Sequence, residues 1–227
     1  MRPRARCHGG RGALRAVVSL PALLGLLAAQ LAHAATLVIT VQAADGKALQ
    51  GAVVTAHPLD GAAHRPAPIR AVMDQVNRAF LPDLLVIPVG STVVFPNSDS
   101  VSHQIYSFSP AKRFQLPLYR GTPYPPVHFD QTGVVTLGCN IHDEMVGYLV
   151  VTDAPYFGRT DARGAWTSEV SPGRYRISIW HPRMRENEAG LDRELAVAEA
   201  DHAALTLRLA RALQPAPLAD RPHSWDY

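Results

Sequence analysis

The chain has 227 residues, 47% of them hydrophobic and 18% charged, with a formal net charge of +3. Five arginines and no acidic residues fall in the first 34 positions, which leaves 17 basic against 19 acidic side chains, a formal −2, in the remainder. With no basic run interleaved with aromatics, this balance argues against a nucleic-acid partner.

Residues 1–34 carry the pattern of an export signal. Arg2, Arg4, Arg6, Arg11 and Arg15 make a basic start. A mostly apolar run over 16–31 follows, broken by Pro21 and Gln30, and Ala32-His33-Ala34 offers small residues for cleavage. The run predicts a secretory signal peptide, and hence a periplasmic protein without a stable membrane anchor.

Beyond it, prolines are spread, glycines punctuate short apolar runs, and no long stretch repeats every 3.6 residues, so an all-β chain is expected. Residues 37–41 and 51–56 read as strands around the Asp45-Gly46 turn, and 58–68 as a linker. A sandwich is expected from about residue 69, with strands at 84–89, 92–95, 104–107, 127–129, 134–137 and 148–151. Residues 109–126 read as a long connection. Strands at 165–167 and 174–180 follow, then a half-buried one carrying Leu205, Leu207 and Leu209. Residues 211–227 form a Pro-rich tail without periodicity, expected to be poorly ordered.

Loss of the leader would remove Cys7 and leave Cys139 with no internal disulfide partner. This cysteine opens Cys139-Asn140-Ile141-His142-Asp143-Glu144-Met145, in which thiolate, imidazole and thioether recur at a spacing of three. A second histidine, His103, closes Phe95-Pro96-Asn97-Ser98-Asp99-Ser100-Val101-Ser102-His103 upstream. One thiolate, two imidazoles and a weak axial thioether are the ligand set of a blue-copper electron-transfer site. Methionine is a poor zinc ligand, which favours copper over zinc. The plainer alternative is a buried, inert cysteine. His57, His64, His128, His181, His202 and His223 have no companion donor at a usual interval.

Residues of about 73–153 resemble the cupredoxin family. The Cys-x-x-His-x-x-Met loop is similar to that of its amicyanin-like members, and the wording around Phe95-Pro96-Asn97 and Asn140-Ile141-His142 is similar to cupredoxin-domain methylamine utilization proteins. The resemblance implies a Greek-key β-sandwich holding one type 1 copper ion, with His103, Cys139 and His142 equatorial and Met145 axial. Asn97 and Asp99 are candidates to hold the buried ring of His103. The chain departs from the family pattern in three places. Gln104 stands where Asn is frequent, the loop has Asn140-Ile141 and no proline, and Asp143 and Glu144 replace an apolar patch.

The flanks resemble something else. Residues 45–54 are similar to the opening of carboxypeptidase-regulatory-like (transthyretin-like) modules, and Thr160-Asp161-Ala162-Arg163-Gly164 with Pro172-Gly173-Arg174-Tyr175 to their closing half. The expected organisation is a signal peptide at 1–34, a smaller β-sandwich split between 35–60 and 154–210, a cupredoxin domain at 69–153 inserted into it, and a tail at 211–227. The simpler alternative is an N-terminal hairpin that extends the copper sandwich.

The expected function is a periplasmic carrier of single electrons between redox partners, a dehydrogenase or a cytochrome, and not an enzyme. Copper storage or delivery, and a structural module with an incidental metal site, are the competing classes. Tyr106, Tyr119, Tyr148, Trp166 and Trp180 read as core or rim aromatics.

Overall fold

The computed structural model describes residues 34–61, 64–185, 191–199 and 202–215. The expected signal peptide, all but its last residue, and residues 216–227 of the expected tail lie outside the described residues. The chain is all-β. In chain order its strands are β1 (Ala35–Gln42), β2 (Val53–Pro58), β3 (Arg70–Val72), β4 (Asp74–Val76), β5 (Ala79–Leu81), β6 (Leu84–Pro88), β7 (Ser91–Val94), β8 (His103–Ser107) and β9 (Phe114–Tyr119). They continue as β10 (Val127–Phe129), β11 (Gly133–Cys139), β12 (His142–Thr152), β13 (Tyr156–Arg159), β14 (Ala165–Val170), β15 (Gly173–Trp180), β16 (Arg193–Val197) and β17 (His202–Arg208). Among the described residues, no helix is long and apolar enough to cross a membrane.

β1 shows why these sequences fold as strands. Its alternation buries Ala35, Leu37, Ile39 and Val41 and leaves Thr36, Val38, Thr40 and Gln42 half-buried, the period-two pattern of a sheet with one core face. It pairs antiparallel with β14 and parallel with β17, while β2 pairs antiparallel with β13 and β15, and β15 with β16. Between these two sheets lies a core that includes Leu37, Ile39, Val54, Trp166, Tyr175 and Ile177.

Residues 70–152 build the second body. One sheet has the order β6-β12-β11-β8-β9 and faces a sheet of order β10-β7-β3, with the β4-β5 hairpin beside them. Their core holds Met73, Phe80, Ile105, Phe129, Leu137 and Leu149, and Cys139 and Met145 belong to the same cluster. Residues 109–126 are not a bare connection. They contain β9, an edge strand whose alternation is diluted by Pro117, which an edge strand tolerates. The short hairpin β4-β5 and strands β13 and β16 also have too few alternating apolar positions to stand out in sequence.

The two bodies meet across an apolar seam. Val53, Leu84 and Val150 are buried together, ringed by Val86, Val134, Tyr148 and Trp180, and Tyr148 meets Trp180 edge-on with ring centroids 5.6 Å apart. Polar ties flank the seam. Arg159 Nη1 donates to the Leu84 carbonyl at 3.1 Å, and His57 Nε2 lies 3.1 Å from Asp153 Oδ1.

His181, directly after Trp180, is half-buried and accepts the Arg183 N–H on Nδ1 at 3.2 Å. Burial, aided by the Arg183 and Arg159 cations, pushes its pKa down to about 4 from 6.5. Between those values the unfolded chain binds the proton and the folded one does not, so stability is held above about pH 6.5 and lost as pH falls towards 4. Urea unfolding midpoints measured across that window are expected to fall with pH, and to fall less in His181→Asn.

Candidate metal centre

The site is assembled by the ends of three neighbouring strands. In β8 the alternation turns His103, Ile105 and Ser107 inward. β11 turns Val135, Leu137 and Cys139 inward and ends there. After the turn at Asn140 and Ile141, β12 begins at His142. Gly138 pairs with Val146 while Cys139 pairs with His142, so Asp143, Glu144 and Met145 form an excursion within the hairpin. The expected loop is therefore short: Cys139 and His142 sit on strand ends held by register, and Met145 on the excursion that follows. His103 is 0% exposed, Cys139 2% and Met145 1%, while His142 is half-buried.

His103 Nδ1, His142 Nδ1 and Cys139 Sγ converge. The two nitrogens are 3.2 Å apart and each lies 3.8 Å from the sulfur. A point equidistant from all three is about 2.1 Å from each, within the ~2.0–2.3 Å span of metal–nitrogen and metal–thiolate bonds. Among the described residues this is the group of histidine, cysteine or acidic side chains able to hold a metal ion. Met145 is buried in the same core cluster as Cys139. His57, His64, His128, His181 and His202 take no part in the group, and His223 lies outside the described residues.

The far side of the His103 ring explains its orientation. Nε2 lies 2.9 Å from Asp99 Oδ2, in a pair whose side chains are 0% and 7% exposed. A carboxylate there demands an N–H on Nε2, which leaves the Nδ1 lone pair aimed into the cluster. Asp99 is itself held by the N–H groups of Arg78 at 2.7 Å and Ser100 at 2.7 Å. The bond from His103, with these two amides, keeps its carboxyl well below the usual carboxylate range. Burial, then the neighbouring His103 and Arg78, lower the pKa of His142, so its ring is a neutral donor at neutral pH.

Asn97 does a different job from the one considered for it. Its Nδ2 donates to the Val101 and Tyr119 carbonyls and its Oδ1 accepts the Asp99 N–H, so it shapes the loop that presents Asp99. Buried Tyr119 donates to the Phe95 carbonyl at 2.7 Å and accepts from Gln75 Nε2, and burial raises its pKa. Gln75 also donates to the Pro96 carbonyl at 2.9 Å. Arg78 had no sequence signal as a site residue. It occupies, with Asn77, the tip of the β4-β5 hairpin at φ values of 59° and 53°, the left-handed pair that a two-residue hairpin turn requires. Asp143 and Glu144 are exposed beside His142.

No family model and no curated protein matches the chain. Among solved structures, it is similar to a purple cupredoxin from Nitrosopumilus maritimus, at 30% identity over 36% of this chain and 99% of that one, with a TM-score of 0.33. It is 25% identical to a copper-containing nitrite reductase from Thermus scotoductus over 42% of this chain and 25% of that one, with a TM-score of 0.35. A reduced amicyanin variant is 21% identical over 43% and 99%, at a TM-score of 0.33. The two facing sheets of residues 70–152 carry the His–Cys–His group at one end.

Asp99 is the residue whose loss most directly disorders a donor without removing one. Replacing Asp99 with Asn is expected to weaken metal affinity by about 10–100-fold, the usual effect of removing the partner of a ligating histidine. Competitive titration of Co(II) against a chromophoric chelator measures it.

Proposed function

We propose that this protein is a copper-binding carrier of single electrons in the periplasm, exchanging them with redox-protein partners such as a dehydrogenase or a cytochrome. The observation that carries the reading is the preformed triangle of two imidazole nitrogens and a cysteine sulfur, sized for one metal ion and buried at one end of a β-sandwich. On this reading His103, Cys139 and His142 are the equatorial donors and Met145 the axial one. A mixed sulfur and nitrogen set of this kind selects copper. Copper, when bound there, supplies a one-electron couple.

The chain's own residues do the rest. The core around Cys139 and Met145 keeps water from the sulfur donors. Asp99 fixes His103, and strand register fixes Cys139 against His142. Half-buried His142 is the donor through which a partner reaches the site from the end of the sandwich. Asp143 and Glu144 beside it favour a cationic partner face. A storage or delivery protein needs exchangeable, open donors, and the 0% and 2% exposure of His103 and Cys139 speaks against that role. A carrier needs no group beyond this one.

We also infer the chain's organisation: a cupredoxin domain at 69–153 inserted into a carboxypeptidase-regulatory-like sandwich of 35–60 and 154–210. The pairing of β1 and β2 with β13, β14, β15 and β17 supports it.

The purified protein with stoichiometric Cu(II) is expected to show an intense thiolate-to-copper absorption band that mild reductant bleaches and that Cys139→Ala lacks. A spectrum indifferent to that substitution would overturn the carrier reading. Met145→Leu is expected to keep the band and raise the reduction potential, because losing a weak donor destabilises Cu(II) more than Cu(I). Protein-film voltammetry measures the shift.

A further inference from the structure

The β4-β5 hairpin is pinned against the metal end from two sides. Phe80 of β5 packs on Gly147 of β12, just beyond Met145, so closely that a Cβ there would lie 2.8 Å from its Cδ2. Asp74 of β4 accepts from Ser98 Oγ at 2.7 Å and from the Ser98 N–H at 3.1 Å, in the loop that presents Asp99. The tip, Asn77 and Arg78, therefore holds a fixed place beside the loop that leads to His103 and the strand that carries His142.

At its φ of 59°, Arg78 fills the second central position of the turn, where glycine is the favoured residue because a Cβ is crowded in the left-handed region. The bond from its N–H to Asp99 Oδ2 at 2.7 Å calls for no side chain, and glycine would donate it without strain. A strained arginine here points to a separate task for the guanidinium. The side chain is exposed and makes no ion pair among the described residues. Its cation is one of the charges that lower the pKa of His142, opposed there by Asp99 and Glu144. An exposed cation thus stands within electrostatic reach of the half-buried donor at the end of the sandwich.

We propose that Arg78 is a specificity-determining residue of the His142 end, the cation that pairs with a carboxylate on the face of the redox partner. This rests on the carrier reading above. Asp143 and Glu144 ask for cations on that face, and Arg78, from a different element of the fold, asks for an anion on it. A matching face must then carry both signs in the right places, which fixes its orientation over His142 and rejects faces of a single sign. The guanidinium suits the task, since its planar fork meets a carboxylate through two parallel N–H bonds. The contact is non-covalent and adds no step to the exchange.

A cation near the metal also acts on its potential, so the test must separate docking from that field. The copper-loaded protein is mixed by stopped flow with reduced plant-type ferredoxin, an acidic donor, and with reduced cytochrome c, a basic one. Arg78→Gln is expected to slow reduction by ferredoxin about tenfold at low ionic strength, the gap closing as salt is added, and Arg78→Lys to restore most of the rate. Reduction by cytochrome c is expected not to slow. Equal slowing with both donors means that the cation acts on the potential and not on docking, and overturns the proposal. A ferredoxin rate that Arg78→Gln leaves unchanged overturns it too. Arg78→Gln keeps the amide that holds Asp99, so weaker Co(II) binding in that variant gives the side chain a structural role and also overturns the proposal. In the metal-free protein, hexacyanochromate(III), a paramagnetic trianion, is expected to broaden the amide signals of Arg78 and His142 in the parent and not in Arg78→Gln. No broadening in the parent overturns the anion contact itself. A parent that shows the broadening but no copper band brings down the carrier reading, and the docking role with it.

Discussion

The metal-holding end of this protein depends on one buried hydrogen bond, between His103 Nε2 and Asp99 Oδ2 at 2.9 Å. A neutral imidazole has two ring nitrogens and one proton to place between them. The carboxylate decides which nitrogen carries the proton, and so which lone pair faces Cys139 and His142. A carboxylate buried to 7% exposure is costly unless every lone pair is met. Arg78 and Ser100 supply the amides that meet them, which is why a left-handed hairpin tip at Asn77 and Arg78 is kept so near the site. Asn97, Tyr119 and Gln75 tie the loop that presents Asp99 to the strands beneath it. The chain of causes runs from turn chemistry to a buried charge, and from the buried charge to the tautomer of His103, a proposed ligand.

A second constraint acts from the opposite direction. The outer face of an antiparallel sheet is ordinarily solvated and alternates accordingly. Tyr148, Val150 and Leu84 break that rule because a second sheet covers them with Val53 and Trp180. β12 is consequently packed on both faces over its second half, while its first half carries His142 and Met145. The strand that presents two of the proposed donors is thus clamped well away from the metal end. Its freedom to shift when charge arrives is small.

The sequence was legible where chemistry and period coincided. Cys139, His142, Met145 and His103 stood out because soft donors at regular spacing have few other uses, and the all-β class followed from short alternating runs such as β1. Asp99 was legible as a candidate but not as the choice over Asn97, because both residues suit turns equally well; only the loop path assigns one to the ring and the other to the backbone. β9 escaped notice because its proline, Pro117, hides a pattern that an edge position permits. Arg78 and Gln75 carried no signal, since each acts through a contact distant in sequence, one through its amide and one through a buried side chain. The long β12 was read as two pieces, a loop and a strand, because exposed Asp143 and Glu144 interrupt its apolar run.

Those two acids also bear on how a carrier of this kind would work. A site that changes charge by one unit must not rearrange its donors, and here the three donor atoms already stand 3.2 to 3.8 Å apart on strand ends. With the donors fixed, the remaining variable is the surrounding field. The carboxylate of Asp99 sits behind one proposed ligand, His103, and Asp143 and Glu144 sit beside another, His142. All three favour the more positive oxidation state, and so pull the potential down. Their reach differs: Asp99 is shielded from salt by burial, whereas a field from exposed side chains fades within about 8 Å at physiological ionic strength. On the proposed carrier reading, Asp99 would bear on the potential more evenly across ionic strengths than the exposed pair. The exposed pair acts mainly on whatever approaches the His142 end, where a cationic surface would weaken the pair's pull on the metal as it docks.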